Sequence, residues 1–202
     1  MRSLKGDLTA VGAACGIVGL VLLGIVWLNH PYLARAIAFE DSPLAWLQSS
    51  VLVASAMLCL PLAATGNTHG RRRAGWYAIG ALLLFAALDE RFMFHEKTAA
   101  WLFIHPLHRD AARAQLATAV PMLAYAIVAL GVSLWLWRAT QRGRPWIVAA
   151  ATIAIIAVTM DVRSDAVGPQ VIEELLELAA ETLFLCALLV TWRGALNRSS
   201  DE

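Results

Sequence analysis

Three stretches of this sequence, at residues 9–28, 44–64 and 115–137, run for 20 residues or more without a charged side chain. A helix rises ~1.5 Å per residue, so about 20 apolar residues cross the ~30 Å hydrocarbon core of a bilayer. Weaker apolar stretches follow at residues 74–88, 145–160 and 170–192, although the last contains four glutamates. Only 15% of the chain is charged, against about 25% in soluble domains. The sequence therefore predicts an all-α, polytopic transmembrane bundle of six helices.

The predicted helices lie at about residues 8–29, 43–65, 74–104, 114–138, 145–163 and 169–193. These spans leave no room for a soluble domain, so residues 1–202 are predicted to form a single integral-membrane domain. The first apolar run exceeds the 7–15 residues of a signal-peptide core, which favours a retained helix. At the start of the second helix, Asp41 or Ser42 is expected to be the N-cap and Pro43 to lie in the first turn.

Basic residues predict the orientation of the bundle. Ten of the sixteen lysines and arginines fall at the N-terminus, at residues 71–73, at residues 138–144 and at the C-terminus. These segments alternate along the predicted topology, and the positive-inside rule then places both termini in the cytoplasm. Twelve of the fifteen acidic residues fall on the opposite side. We therefore expect a bacterial inner-membrane protein, N-in and C-in, with its site facing the non-cytoplasmic side.

Several acids lie deep in the predicted helices. Counted from the tryptophans predicted at the inner interface, Asp89, Asp161 and Glu177 lie about 20–22 Å into the membrane. Glu181 lies about 16 Å in, near the midplane. Glu174, Glu177 and Glu181 follow +3 and +4 spacing and share one helix face. The spacing predicts a layer of carboxylates that face one another across the bundle.

The charge of this layer is unbalanced. A carboxylate at the bilayer centre costs ~2.5–3.5 kcal/mol unless it has a partner. Two arginines, Arg91 and Arg163, lie at the level of six deep acids, which leaves about four negative charges to neutralise; the deep acids are Asp89, Glu90, Asp161, Glu174, Glu177 and Glu181. Bound protons, divalent cations or a protonated His95 would do so, although an ion-pair network that only ties helices together is the simpler alternative. The predicted metal ligands are Asp89, Glu90, His95, Glu96, Asp161, Glu174, Glu177 and Glu181.

Mixed carboxylate and imidazole ligands suit iron, zinc or manganese. The leading hypothesis is therefore a metal-binding cavity, in a metal-dependent hydrolase or oxidoreductase acting on a lipid-like substrate. The alternatives are a proton- or cation-coupled carrier, and a small assembly subunit whose acidic pocket receives a partner's basic side chain. No HExxH or GxSxG motif occurs, and no basic, aromatic-interleaved stretch indicates nucleic-acid binding. The expected partners are the bilayer and a lipid-like small molecule; a protein partner is left open.

Overall fold

The computed structural model describes residues 2–37, 42–65, 70–92, 94, 97, 127–161 and 167–199, and their regular secondary structure is helical. Two helices precede the second predicted span: α1 at Arg2–Asn29 and the short α2 at Leu33–Ile37. The remaining described helices are α3 at Pro43–Ala64, α4 at Arg71–Phe92, α5 at Ile127–Ala139, α6 at Arg144–Asp161 and α7 at Val167–Ser199.

Three of the described helices are long and apolar enough to cross a membrane. Their apolar spans are Lys5–Asn29 in α1, Pro43–Ala64 in α3 and Gly168–Asn197 in α7. Helices α5 and α6 are apolar but shorter over their described lengths. Helix α4 carries arginines in its first turn and Asp89, Glu90 and Arg91 near its end. The described residues therefore form an all-α structure in which three helices are long and apolar enough to span a membrane, and six spans remain a prediction.

Helix α7 is the centre of the bundle. It packs against α1, α2, α3 and α6, whereas α4 packs mainly against α3. Half of the apolar window of α7 is buried inside the protein, compared with 11% of that of α1. The apolar side chains of α1, such as Leu20 and Trp27, are largely exposed. This arrangement suits lipid around α1 and places the acidic face of α7 in the interior.

Helices α3 and α7 run parallel. Gln48 near the start of α3 contacts Glu174 near the start of α7, and Leu62 near the end of α3 shares a buried cluster with Leu188. The start of α3 is fixed by Ser42, whose side-chain oxygen accepts a hydrogen bond of 3.1 Å from the Ala45 amide. The predicted N-cap at this position is confirmed for Ser42, with proline in the first turn.

Four segments meet at one end of the bundle, which we call the basic end. The guanidinium of Arg193, in the last turns of α7, lies 3.9 Å from the carboxylate of Asp7 in the first turns of α1. Arg72, at the start of α4, donates a 2.7 Å hydrogen bond to the Ala139 carbonyl at the end of α5. Gly194 near the end of α7 lies against the side chain of Arg142 in the turn between α5 and α6. The first turns of α1, the start of α4, this turn and the end of α7 therefore share one end.

Candidate functional site

Two pairs of helices, α3–α4 and α6–α7, pack closely within the bundle. Glu181 lines a cavity between these helix pairs. The cavity has a volume of about 660 Å³ and is lined by α4, α5, α6 and α7, with Leu52 contributed by α3. Among the described lining residues, Glu181 and Ser133 are the polar ones, and the others are aliphatic or aromatic. Pockets of this size accommodate small organic molecules. We call this space the Glu181 cavity.

One carboxyl oxygen of Glu181 is buried without a hydrogen-bond partner. Its Oε2 atom is inaccessible to solvent and contacts no donor among the described residues. Buried polar atoms are nearly always hydrogen-bonded, because an unsatisfied one costs about 1–3 kcal/mol. Among the described residues, Glu181 is therefore an acid with one oxygen still able to accept a hydrogen bond, in a residue that also lines an apolar cavity.

Three other acids lie within electrostatic range of Glu181. They are Glu90, Glu177 and Glu174, whose carboxyl groups act on it with like charge. Glu90 belongs to α4 and the other two to α7, so the acids converge from both helix pairs. Of the predicted ligands, Glu90, Glu174 and Glu177 therefore lie within electrostatic range of Glu181, while a metal site built from the predicted set remains a prediction.

Glu174 is held by a glutamine from α3. The amide Nε2 of Gln48 donates a hydrogen bond of 3.2 Å to Glu174 Oε2. The Gln48 side chain is fully buried, and its own Oε1 lacks a donor among the described residues. One helical turn further along α3, Leu52 lines the Glu181 cavity. The polar contact between α3 and α7 therefore lies next to the cavity.

The remaining predicted ligands divide into two groups. Asp89 is buried in α4, with 5% of its surface exposed. His95, Glu96 and the side chain of Asp161 lie outside the described residues. Within the described ranges, no group of three or more His, Cys, Asp or Glu side chains is arranged to hold a metal ion. The metal site therefore remains a prediction that draws on residues beyond those ranges.

Arg91, one of the two expected counter-charges, has an aromatic contact. Its guanidinium lies 4.5 Å from the centre of the Trp46 ring, a cation–π distance. Trp46 is exposed on α3, so this contact joins the start of α3 to the end of α4. The second expected counter-charge, Arg163, lies outside the described residues.

Two functional features were missed by reasoning from the sequence. Gln48 is a strongly polar residue in the uncharged, apolar span 44–64. A polar side chain in such a span needs a hydrogen-bond partner, and this requirement could have indicated Gln48. Nothing in the sequence indicates the Glu181 cavity, because its walls consist mostly of apolar side chains of the kind found in any transmembrane helix.

A family model described as "Domain of unknown function (DUF8692)" matches residues 8–192. The chain belongs to this family. The DUF8692 match includes every predicted ligand from Asp89 to Glu181, Gln48 on α3 and the whole lining of the Glu181 cavity. No curated protein and no solved structure matches the chain significantly.

Proposed function

We propose that this DUF8692 protein binds a lipid-like molecule within the membrane, in the Glu181 cavity. The observation that carries the proposal is that Glu181, whose Oε2 atom lacks a hydrogen-bond partner among the described residues, lines an apolar cavity of about 660 Å³. A purely structural acid would be expected to have both oxygens hydrogen-bonded or hydrated. An unpaired oxygen is instead what we expect of a carboxyl group that binds the polar end of a ligand.

The lining defines the class of ligand. Leu83, Phe85, Val132 and Phe184 provide apolar walls for a hydrocarbon chain or ring system. The carboxyl group of Glu181 needs a hydrogen-bond donor or a positive charge beside it. A molecule with an apolar body and a hydroxyl, amine or similar donor at one end meets both requirements.

The acids around Glu181 support a further element of the proposal, a divalent cation at the polar end of the cavity. Like-charged carboxyl groups from α4 and α7 converge on Glu181, and a cation would relieve their repulsion. The ligands we propose are the deep acids together with His95 and Glu96, with iron, zinc or manganese as the ion. Such a metal would activate water or oxygen, which makes a hydrolase or oxidoreductase acting on the lipid-like molecule the proposed enzyme class.

For the membrane topology we propose six transmembrane helices with both termini in the cytoplasm of a bacterial cell. The meeting of four segments at the basic end supports this topology. Those four segments are the ones in which lysines and arginines are concentrated. The positive-inside rule then assigns the basic end to the cytoplasm and the acid layer to the other side.

A proton- or cation-coupled carrier is the alternative to a ligand-binding enzyme, and a subunit that receives a partner's basic side chain is another. The apolar cavity favours a ligand-binding role, because an ion pathway would require further polar groups along its length. A basic side chain from a partner protein would also pair with the carboxyl group of Glu181. The apolar cavity would then have to accommodate a helix of that partner.

The test is to identify what the purified protein retains. Wild-type protein in mild detergent is extracted with organic solvent, and the extract is analysed by mass spectrometry. Ala86 lines the cavity on α4, whereas Ala78 is exposed on the same helix and lies outside the lining. We expect the wild type and Ala78→Phe to retain a defined lipid-like molecule in near-stoichiometric amount, and Ala86→Phe to lose it. Equal retention by the two variants, or no retained molecule in the wild type, would contradict the proposal.

A further inference from the structure

A second cavity, far from the acid layer, lies at the basic end of the bundle. It has a volume of about 370 Å³ and lies between the start of α4, the turn after α5 and the last turns of α7. The side chains that define it are Arg72, Arg138, Arg142, Thr140, Gln141 and Thr191. We call it the arginine pocket.

The walls of the arginine pocket are fixed by hydrogen bonds. Arg72 is bound to the Ala139 carbonyl at 2.7 Å, which ties α4 to the end of α5. The hydroxyl of Thr140 donates to the Leu136 carbonyl at 3.0 Å, and that of Thr191 donates to the Ala187 carbonyl at 2.7 Å. Both threonine side chains are buried. The Arg72 bond therefore holds the start of α4 against the end of α5, and the local threonine bonds hold the two hydroxyl groups in place.

The charge of the pocket is positive. Three arginines from two separate segments line it, and no Asp or Glu is among the described residues that line it. The Arg193–Asp7 ion pair at the same end of the bundle involves none of the three. Arg138 and Arg142 are exposed, so their guanidinium groups are accessible to a ligand.

We propose that the arginine pocket binds a phosphate group, the headgroup phosphate of an anionic phospholipid. Guanidinium groups bind phosphate oxygens through paired, charge-assisted hydrogen bonds. Basic pockets between transmembrane helices are known settings for anionic headgroups. The lipid source is favoured by tryptophans at the same level, because the exposed Trp137 lies 5.0 Å from the guanidinium of Arg144, just beyond the pocket. Indole rings of this kind occupy the headgroup region of a bilayer.

The experiment measures binding of single lipids by native mass spectrometry of the full chain in detergent. The probes are phosphatidylglycerol, phosphatidylcholine and inorganic phosphate. The test variant is Arg138→Gln/Arg142→Gln, which removes two lining arginines. The matched control is Arg71→Gln/Arg73→Gln, which removes the same charge from exposed positions of α4 that lie outside the pocket. Helix content and elution volume establish that both variants are folded.

We expect the wild type to bind phosphatidylglycerol more tightly than phosphatidylcholine. Loss of two charge-assisted contacts should weaken phosphatidylglycerol binding at least tenfold in the test variant, and by less than about threefold in the control. Equal weakening in both variants, or none in either, would overturn the pocket as a specific site. Competition by inorganic phosphate as strong as that by phosphatidylglycerol would overturn the lipid assignment in favour of free phosphate. None of these outcomes depends on the Glu181 cavity.

Discussion

The amide of Gln48 on α3 donates a hydrogen bond of 3.2 Å to the carboxyl group of Glu174 on α7. The two residues are 126 positions apart in the sequence, and this bond joins the helix pair α3–α4 to the central helix α7. The same two helices also pack through buried apolar clusters, and α4, which carries Glu90, packs mainly on α3. The bond therefore adds a polar contact to an apolar interface that holds α3 and α4 beside the acids of α7.

Replacing Gln48 by leucine should destabilise the protein. The substitution leaves a half-buried carboxyl oxygen of Glu174 without its donor, at a cost of about 1 kcal/mol in the free energy of unfolding. Adding Glu174→Leu to that variant should recover part of the loss, because both polar partners are then gone. Unfolding in mixed micelles measures both effects. A Gln48→Leu protein as stable as the wild type would show that the bond contributes nothing.

The packing of α1 on α7 predicts a specific cross-link. The sulfur atoms of Cys15 and Cys186 lie 3.8 Å apart, although all three cysteines are free thiols. Mild oxidation in membranes should join these two positions, and peptide mass spectrometry should detect the linked fragment. Cys59 is the internal control, since it is buried in a different cluster with Leu62 and Trp76. Links from Cys59 to either of the others would contradict this packing.

Close contact at the basic end predicts that Gly143 does not tolerate a larger residue. A Cβ atom there would lie 2.8 Å from Thr191 Oγ1 and 2.9 Å from the Ala187 carbonyl oxygen. A backbone carbonyl cannot move aside, so Gly143→Ala should destabilise the protein by about 1–3 kcal/mol. At Gly131 a Cβ atom would meet nothing within 4 Å, and Gly131→Ala on helix α5 should leave the melting temperature unchanged or slightly higher. Similar losses in both variants would contradict the contact at Gly143.

The main outline of this fold was predictable from hydropathy, because helices that cross a bilayer must be long and apolar. Hydropathy reports the membrane-embedded part of a helix rather than its full length. For this reason α1 begins at Arg2 instead of the predicted residue 8, and its additional turns include Asp7, which pairs with Arg193. The short helix α2 was not predicted either, since five residues carry no measurable periodicity.

Only the part of the candidate site that lies on α7 was predictable from the sequence. Spacing of +3 and +4 placed Glu174, Glu177 and Glu181 on one face of α7, because the geometry of a single helix is regular. The partnership of Glu174 with Gln48 depends on how two distant helices pack, which local spacing does not encode. The Glu181 cavity depends on the same packing, and its apolar walls are chemically indistinguishable from a filled core.

The metal prediction is tested by elemental analysis. Purified wild-type protein should contain iron, zinc or manganese at one or two ions per chain, and the Asp89→Ala/Glu177→Ala variant should contain much less. Asp7→Ala is a suitable control, because Asp7 lies at the basic end beside Arg193, away from the acid layer. A wild type without bound metal, measured on protein purified without chelators, would contradict the prediction and leave the lipid-like ligand as the partner of Glu181.

The most direct test of the central claim is site-specific photocrosslinking in native membranes. A benzophenone side chain is introduced at Val132, which lines the Glu181 cavity on α5, or at Leu134, which is exposed on the same helix outside the lining. We predict that position 132 yields one defined lipid-like adduct, that Glu181→Leu abolishes it, and that position 134 yields bulk phospholipids in membrane proportions. Bulk phospholipid at both positions, unchanged by Glu181→Leu, would contradict a ligand site at Glu181.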